Sequence, residues 1–226
     1  MKVALVSAIY GGYDAPNPLL ENHGFDEAII ISDNPRTQAN GWTTRVEPRG
    51  NLSPRLASKF PKFQPFDYVD ADIAVWIDGA GRIKSPEYRQ FCVDSLGDND
   101  VMAWAHPERN PPPERAARNC LYDEALFCQD WLKYRDYPIP AQTAYYREQG
   151  MPENFGLWAC GSLVWRNTTG AREFGRLWLL ENIRWSIQDQ VSFPYLVWKH
   201  QPKLIEFPVP QYGNDYIQWN FHRSEL

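Results

Sequence analysis

The sequence has few basic residues, and this shortage excludes one class of function. Lys and Arg together number 23, against 28 Asp and Glu, so the net charge is -5, and the basic residues are scattered along the chain. A nucleic-acid surface requires a concentrated basic face that neutralises phosphates. We therefore expect no nucleic-acid partner, and any phosphate that the protein binds should belong to a small molecule.

Long apolar runs are also missing. The N-terminal stretch KVALVSAIY is much shorter than the run of about 20 apolar residues that crosses a bilayer. It leads into Gly-Gly-Tyr-Asp rather than into a secretory cleavage pattern. We therefore interpret this stretch as the first strand of the fold and expect no membrane span.

Cysteine is scarce, and its spacing excludes a zinc finger. The four cysteines form no Cys-x-x-Cys pair and have no His at zinc-finger spacing. They are Cys92, Cys120, Cys128 and Cys160, and all lie among apolar residues. This pattern predicts buried, reduced thiols, which are typical of a cytoplasmic protein.

The glycine-rich loops that bind nucleotide phosphates are missing as well. There is no Gly-x-x-x-x-Gly-Lys-Ser/Thr loop, and Gly11-Gly12 does not make a Gly-x-Gly-x-x-Gly fingerprint. P-loop and dinucleotide functions are thereby excluded. The first strand also lacks the glycine-rich, basic loop expected of sugar nucleotidyltransferases, which argues against that class.

Short apolar runs, separated by helical segments, are the main feature that is present. They are VALVSAIY, EAIIIS, IAVWI, DVMAWA and LWACGSLVW. Runs of this kind are typical of strands that are covered on both faces of a sheet. The pattern predicts one α/β domain over residues 1–226, with a mixed, mainly parallel sheet flanked by helices.

Three helices are indicated by caps and apolar periodicity. Ser53-Pro54 predicts the start of a helix that Pro61 ends or kinks. An apolar stripe at helical spacing predicts a second helix between residues 114 and 133. Thr168 or Thr169 predicts the cap of a long third helix. The inward face of that helix is expected to include Phe174, Leu177, Trp178 and Ile183.

Polar residues that directly follow the apolar runs are the first site candidates, because ligands of open α/β sheets bind beyond the carboxyl ends of the strands. They are Tyr10, Tyr13, Asp14, Asp33, Asp78 and His106. Asp78 is favoured because Gly79, Ala80 and Gly81 leave the space in front of it open. Asp70 and Asp72 have the spacing of a metal site but precede their strand, and we expect them in a solvated turn.

A lone carboxylate such as Asp78 would repel a diphosphate, by roughly 4 kcal/mol per charge pair at about 4 Å with an effective dielectric of about 20. We therefore expect a cation between them. Mg²⁺ or Mn²⁺ suits oxygen ligands and often takes one or two protein groups. His222 is a candidate second ligand, and the alternative is an ordinary surface histidine.

Other charged residues are open to two interpretations each. Arg55 and Lys59 lie one helical turn apart and share a face, which either binds phosphate or is solvated surface. Asp189 lies where a helix should begin, so its carboxylate either accepts a proton from a sugar hydroxyl or caps the helix. Glu124 is ambiguous in the same way.

Eight segments, taken in order, resemble one known family. They are AIYGGYD, SDNP, the helix from Arg55 and Lys59 to Pro61, VWIDGAGRI, AWAHPERN, YDEA with Gln129, GLWACGSLVWRN and QDQVSFPY. The chain resembles the glycosyltransferase-like family with a GT-A-type fold that was long a domain of unknown function and includes plant mucilage- and turgor-related members. The likeness covers most of the chain and depends on the order of the segments more than on any one of them.

The resemblance implies a nucleotide-sugar-dependent transferase, with a donor that is expected to be UDP-linked. The first strand and Asp33 would receive the nucleoside, and Asp78 with Gly79 would stand in the place of the metal-binding Asp-x-Asp motif. The second Asp of that motif is Ala80 here. The site would therefore use Mn²⁺ or Mg²⁺ at Asp78 with His222, or bind the diphosphate through the basic pair on the helix instead.

The resemblance also implies an acceptor, which would be the hydroxyl of a carbohydrate or of a glycosylated molecule. His106, Arg109, Glu124 and Gln190 would lie toward the acceptor or the donor sugar, with Glu124 a candidate catalytic residue. Asp189 would be the catalytic carboxylate or would orient the acceptor. The alternative is a noncatalytic carbohydrate-binding protein on the same fold, because a fold does not establish an activity.

Overall fold

Seven strands form one mixed sheet with the order β3-β2-β1-β4-β7-β6-β8, and two more form a separate antiparallel pair, β5-β9. The computed structural model describes residues 1–108 and 120–220. The strands are β1 (Val3–Ala8), β2 (Glu27–Ser32), β3 (Thr43–Val46), β4 (Ile73–Ile77), β5 (Gly81–Ile83), β6 (Val101–Ala105), β7 (Trp158–Arg166), β8 (Leu204–Glu206) and β9 (Ile217–Trp219). The α-helices are α1 (Pro54–Phe63), α2 (Tyr88–Leu96), α3 (Leu121–Gln129), α4 (Ile139–Glu148), α5 (Thr169–Arg184) and α6 (Asp189–His200).

The large sheet is mainly parallel. Strand β7 runs antiparallel to both of its neighbours, β4 and β6, whereas the other pairs in this sheet are parallel. Helices flank the sheet. The predicted α/β class with a mixed, mainly parallel sheet is therefore confirmed.

The central strands are buried because each of their faces packs against a different core. Alternate residues of β4 point to opposite faces, as the pleat of a strand requires. Ala74 and Trp76 pack with α1, α3, α5 and α6, whereas Ile73, Val75 and Ile77 pack with α2. This arrangement explains why the apolar runs are continuous rather than alternating with polar residues.

Helix α1 begins as its sequence predicts, and it extends beyond the proline. The Ser53 hydroxyl accepts a hydrogen bond from the Leu56 N–H at 3.2 Å. Pro61 lies inside the helix, which continues through Lys62 to Phe63. Of the two alternatives, the one in which Pro61 ends the helix is wrong, because a proline removes one backbone donor and the next two residues still pack in helical conformation. Lys62 and Phe63 are both buried, and Lys62 lies in the candidate site described below.

Helix α5 is capped by the Thr168 hydroxyl, which accepts from the Ala171 N–H at 3.0 Å. Phe174 and Trp178 are buried on its inner face as predicted. Ile183 is 51% exposed, and the expectation that it faces inward is wrong. It lies about two and a half turns from Phe174 and therefore on the opposite side of the helix.

The apolar stripe predicted between residues 114 and 133 corresponds only in part to a helix. Leu121, Ala125 and Cys128 are buried on α3, which ends at Gln129. Leu132 is 74% exposed in a short 3-10 helix, so its inclusion in the stripe is wrong. Residues 114–119 lie outside the described residues.

Two smaller expectations, buried cysteines and solvent-exposed Asp70 and Asp72, are confirmed. All four cysteines are buried and free of disulfide bonds. Asp70 and Asp72 are exposed, and the Asp72 carboxylate accepts a hydrogen bond from the Lys2 N–H at 2.7 Å. No helix within the described residues is long and apolar enough to cross a membrane.

Candidate functional site

Two adjoining cavities open beyond the carboxyl ends of β1 and β4. The smaller holds about 220 Å³ and the larger about 530 Å³. The two share part of their lining, which consists of Asp78, Lys133, Tyr134, Gln188 and Gln190. A ligand in one cavity would therefore meet a ligand in the other beside Asp78.

The smaller cavity contains seven of the eight residues that were predicted to bind a donor. They are Tyr10, Tyr13, Asp14, Arg55, Lys59, Asp78 and Gly79. The eighth, Asp33, is not among the described residues that line either cavity. Its carboxylate accepts from the Gly11 N–H and from Arg49 Nε, each at 2.9 Å, so it supports the turn that follows β1.

Asp78 is held at the end of β4 by four hydrogen bonds, one of which its carbonyl accepts from the Gly81 N–H at 2.8 Å. The Asp78 N–H donates to the Gly161 carbonyl at 2.8 Å. Its Oδ1 accepts from the Trp76 indole at 2.7 Å and from Lys62 Nζ at 3.1 Å. The Asp78 side chain remains 33% exposed toward the cavities.

The glycines after Asp78 have a packing role that the sequence interpretation missed. A Cβ on Gly81 would lie 2.5 Å from Ile77 Cγ1, and a Cβ on Gly79 would lie 3.0 Å from Asp14 Oδ2. Real Cβ atoms essentially never approach as closely as the contact at Gly81, and the contact at Gly79 is tighter than nine in ten real Cβ contacts. Gly81 is thus required by packing against Ile77, and a larger residue at Gly79 would displace the Asp14 side chain.

Asp189, the first residue of α6, lies between two lysines of α1. Its Oδ2 is 2.7 Å from Lys59 Nζ and 2.6 Å from Lys62 Nζ. The same Lys62 ammonium also reaches Asp78. Asp78, Lys62, Asp189 and Lys59 therefore form a chain of alternating charges, which we call the Asp–Lys chain. Asp78, Asp189 and Lys59 line the smaller cavity, and Lys62 lies behind them.

The two lysines respond differently to burial. Burial lowers the pKa of both, but Lys62 contacts two carboxylates, Asp189 and Asp78, which together raise its pKa above the ordinary value. For Lys59, burial outweighs the attraction of Asp189, and the neighbouring Lys62 adds repulsion, so its pKa is lowered. Lys62 is therefore held firmly in its charged form. For Lys59, the neighbouring carboxylates do not fully offset the cost of burying the charge.

Asp189 is a weak base in this setting. Burial by itself would raise the pKa of its carboxyl group, but the two ammonium groups outweigh that effect and hold the pKa well below its ordinary value. A carboxylate with a lowered pKa is a poor acceptor for a hydroxyl proton near neutral pH. The geometry favours an orienting role for Asp189 over proton transfer.

We expect the stability of the protein to fall at acid pH because of Asp189. A carboxyl group whose pKa is lowered by folding stabilises the folded state above its ordinary pKa of 3.8 and loses that contribution as the pH falls below it. Urea unfolding of the wild type should show this loss between about pH 4 and pH 2. Asp189→Asn should be less stable at neutral pH and should have a flatter profile in that window, and equal slopes would contradict the ion pairs.

The larger cavity combines buried polar groups with aromatic rings. Gln188 joins two of its walls, because its Nε2 donates to Glu124 Oε1 at 2.8 Å and its Oε1 accepts from the Tyr134 hydroxyl at 3.1 Å. Glu124 is only 3% exposed. His106 and Gln190 also line this cavity, as the acceptor prediction requires. The aromatic rings are those of Phe127, Trp131, Tyr134, Tyr212 and Trp219.

A divalent cation at Asp78 with His222 remains a prediction. Within residues 1–108 and 120–220, no three His, Cys, Asp or Glu side chains are arranged to hold a metal ion. The Oδ1 atom of Asp78 is instead engaged by an ammonium group, which would repel a metal at the same oxygen. Two predicted residues, Arg109 and His222, lie outside the described part of the chain.

Sequence reasoning missed Lys62 and Gln188. Lys62 lies three residues after Lys59, so the helical spacing that linked Arg55 to Lys59 could also have found it. Pro61 concealed this signal because it suggested a helix end. Gln188 directly precedes α6 and offered no signal, because its two partners come from distant parts of the chain.

Comparison with known proteins leaves the family open. No protein-family model matches the sequence, and no curated protein is significantly similar to it.

Proposed function

We propose that the protein is a glycosyltransferase that moves a sugar from a nucleotide-sugar donor to a hydroxyl acceptor. The proposed donor is UDP-linked, and the proposed fold is a single GT-A-like domain over residues 1–226. The observation that carries this proposal is the pair of cavities that meet at Asp78, one with a basic wall and one with an aromatic wall. A transferase needs two such sites in contact, because donor and acceptor must react directly.

The smaller cavity suits the donor. Tyr10 and Tyr13 provide flat rings beside which a nucleobase or ribose can pack. The Arg55 guanidinium lies 5.0 Å from the centre of the Tyr13 ring and donates to the Lys133 carbonyl at 3.3 Å, which fixes its direction. A guanidinium can bind phosphate oxygens with two parallel hydrogen bonds.

Leaving-group stabilisation would come from Arg55 and Lys59. Charge develops on the diphosphate as the bond to the sugar breaks, and cations held in advance near that position lower the barrier. Lys59 lines the cavity, and its neighbours do not fully offset the cost of burying its charge. An additional anion in the cavity would stabilise the charged ammonium. Asp189 holds the Lys59 ammonium in place.

The larger cavity suits a carbohydrate acceptor. Its aromatic rings can stack on sugar faces, and its buried amides and carboxylates can bind hydroxyl groups. Glu124 is the candidate to receive the acceptor proton, because its carboxylate lines this cavity and Gln188 orients it. Asp189 is assigned an orienting role instead.

Calorimetric titration with UDP, in chelator and in Mn²⁺, tests the donor site. We expect the wild type to bind UDP and Arg55→Met to weaken binding by about tenfold to a hundredfold, because hydrogen bonds to charged groups contribute about 1.5–3 kcal/mol. Arg135→Met is the matched control, since Arg135 is exposed and is not among the described residues of either cavity. It should bind UDP within about twofold of the wild type.

Four outcomes separate the candidates. No binding of UDP by any variant would contradict the UDP donor. Binding that requires Mn²⁺ would favour a divalent cation at Asp78 with His222 over the basic pair. Carbohydrate binding without nucleotide affinity would favour the noncatalytic carbohydrate-binding protein, whose support is the aromatic wall, whereas slow release of UDP from a UDP-sugar would favour the enzyme.

A further inference from the structure

The ammonium of Lys62 is placed where a metal ion at Asp78 would lie. Its nitrogen is within 3.1 Å of two carboxylate oxygens, Asp78 Oδ1 and Asp189 Oδ2. These oxygens come from the end of β4 and from the start of α6. A single cation therefore joins the two elements that border both cavities.

Burial makes this cation a permanent part of the site. The Lys62 side chain is 3% exposed, and its ammonium lies 5.7 Å from the centre of the Trp76 ring, whose indole binds the same Asp78 oxygen. Lys62 is followed by Phe63, which stacks on Trp178 of α5 at 4.1 Å between ring centres. The side chain is thus fixed by packing on both sides.

Stability alone does not account for four buried or half-buried charges beside one cavity. Replacement of a buried ion pair by apolar residues of similar volume is often neutral or stabilising, because the charges must be removed from water. Three members of the Asp–Lys chain, Asp78, Asp189 and Lys59, line a cavity at the ends of β1 and β4, and Lys62 lies behind them. This position favours a role in binding over a role in folding.

We infer that Lys62 is the resident cation of this site and takes the place of a divalent metal beside Asp78. The part of this inference that concerns phosphate binding rests on the proposed function, whereas the part that concerns metal binding does not. Asp78 then carries no unmatched charge to repel a diphosphate, and phosphate binding needs no added metal. Lys62 is a positioning residue, because its ammonium neutralises and orients the two carboxylates rather than touching the substrate.

Titration of the protein with Mn²⁺, followed by electron paramagnetic resonance, tests the inference without any nucleotide. The wild type should show no bound Mn²⁺ at micromolar metal. Lys62→Met removes the ammonium with little change in volume and should bind Mn²⁺ at least about tenfold more tightly, since two carboxylates suffice for this ion. Lys62→Arg, which keeps the charge, and Lys203→Met, at an exposed lysine, should both behave as the wild type does.

Two results would overturn the inference. One is Mn²⁺ binding by the wild type that Asp78→Ala abolishes. The other is a folded Lys62→Met variant that binds Mn²⁺ no better than the wild type. If Lys62→Met does not fold, the wild type still decides the question, because its lack of a Mn²⁺ signal sensitive to Asp78→Ala supports the resident cation.

The UDP titration distinguishes this inference from the proposed function. UDP affinity that is equal in chelator and in Mn²⁺ supports both. UDP affinity that falls at least about tenfold in chelator keeps the transferase and rejects Lys62 as the replacement for a metal. If UDP does not bind at all, the UDP-donor proposal fails, and the Mn²⁺ titration still decides the role of Lys62.

Discussion

Replacement of Asp189 by alanine is expected to lower the free energy of unfolding by about 3–5 kcal/mol, which is the usual effect of removing one partner from a buried ion pair. Asp189 accepts from both lysines of α1 and is 6% exposed. Its loss leaves Lys59 buried without its carboxylate, and Lys62 with one carboxylate instead of two. The measurement is urea unfolding at neutral pH, where Asp189 is ionised.

An exposed ion pair provides the control for this experiment. Asp67 lies 3.4 Å from Arg172, and its side chain is 61% exposed. Because exposed pairs are worth about 0–1 kcal/mol, Asp67→Ala should change the free energy of unfolding by no more than that. Equal effects of Asp67→Ala and Asp189→Ala would mean that the Asp–Lys chain is not buried as described.

Replacement of Gly175 by alanine is expected to destabilise the protein by about 3 kcal/mol or more. A Cβ at this position of α5 would lie 1.9 Å from the Phe63 carbonyl oxygen, at the end of α1. Alanine is favoured over glycine in a helix by about 1 kcal/mol, but this gain is smaller than the cost of separating two packed backbones. Gly175 is thus what allows the two helices to approach.

Gly170→Ala is the matched control in the same helix. Its Cβ would lie 3.3 Å from Asp100 Oδ2, which belongs to a side chain that can move. We expect a change of less than about 1 kcal/mol in the free energy of unfolding, because the helix propensity of alanine offsets a small displacement. If Gly175→Ala were as mild as this control, the close contact between α1 and α5 would be contradicted.

The packing of α1 matters for the site because α1 carries its basic residues. Arg55 and Lys59 line the smaller cavity, and Lys62 lies behind them in contact with Asp78 and Asp189. A shift of the Phe63 end of α1 would move Lys62 first. We therefore expect a folded Gly175→Ala variant also to differ from the wild type in its affinity for Mn²⁺ or for UDP.

The local sequence was sufficient to predict the elements that carry the site. Continuous apolar runs predicted strands covered on both faces, since only a buried strand can be apolar at every position. The helical spacing of Arg55 and Lys59 predicted one shared basic face, and the rule that ligands bind beyond the carboxyl ends of strands selected polar residues after β1 and β4. The family resemblance implied the donor role, and seven of the eight residues so predicted line one cavity.

The tertiary structure alone decided which charges meet. Lys62 contacts Asp78 and Asp189, and the latter is more than a hundred residues away along the chain. No local pattern encodes that contact, because it depends on how α1 and α6 pack against the same sheet. For the same reason Asp189 is a paired, weakly basic carboxylate here, whereas its sequence allowed a helix cap, which was the preferred interpretation in isolation, or a general base.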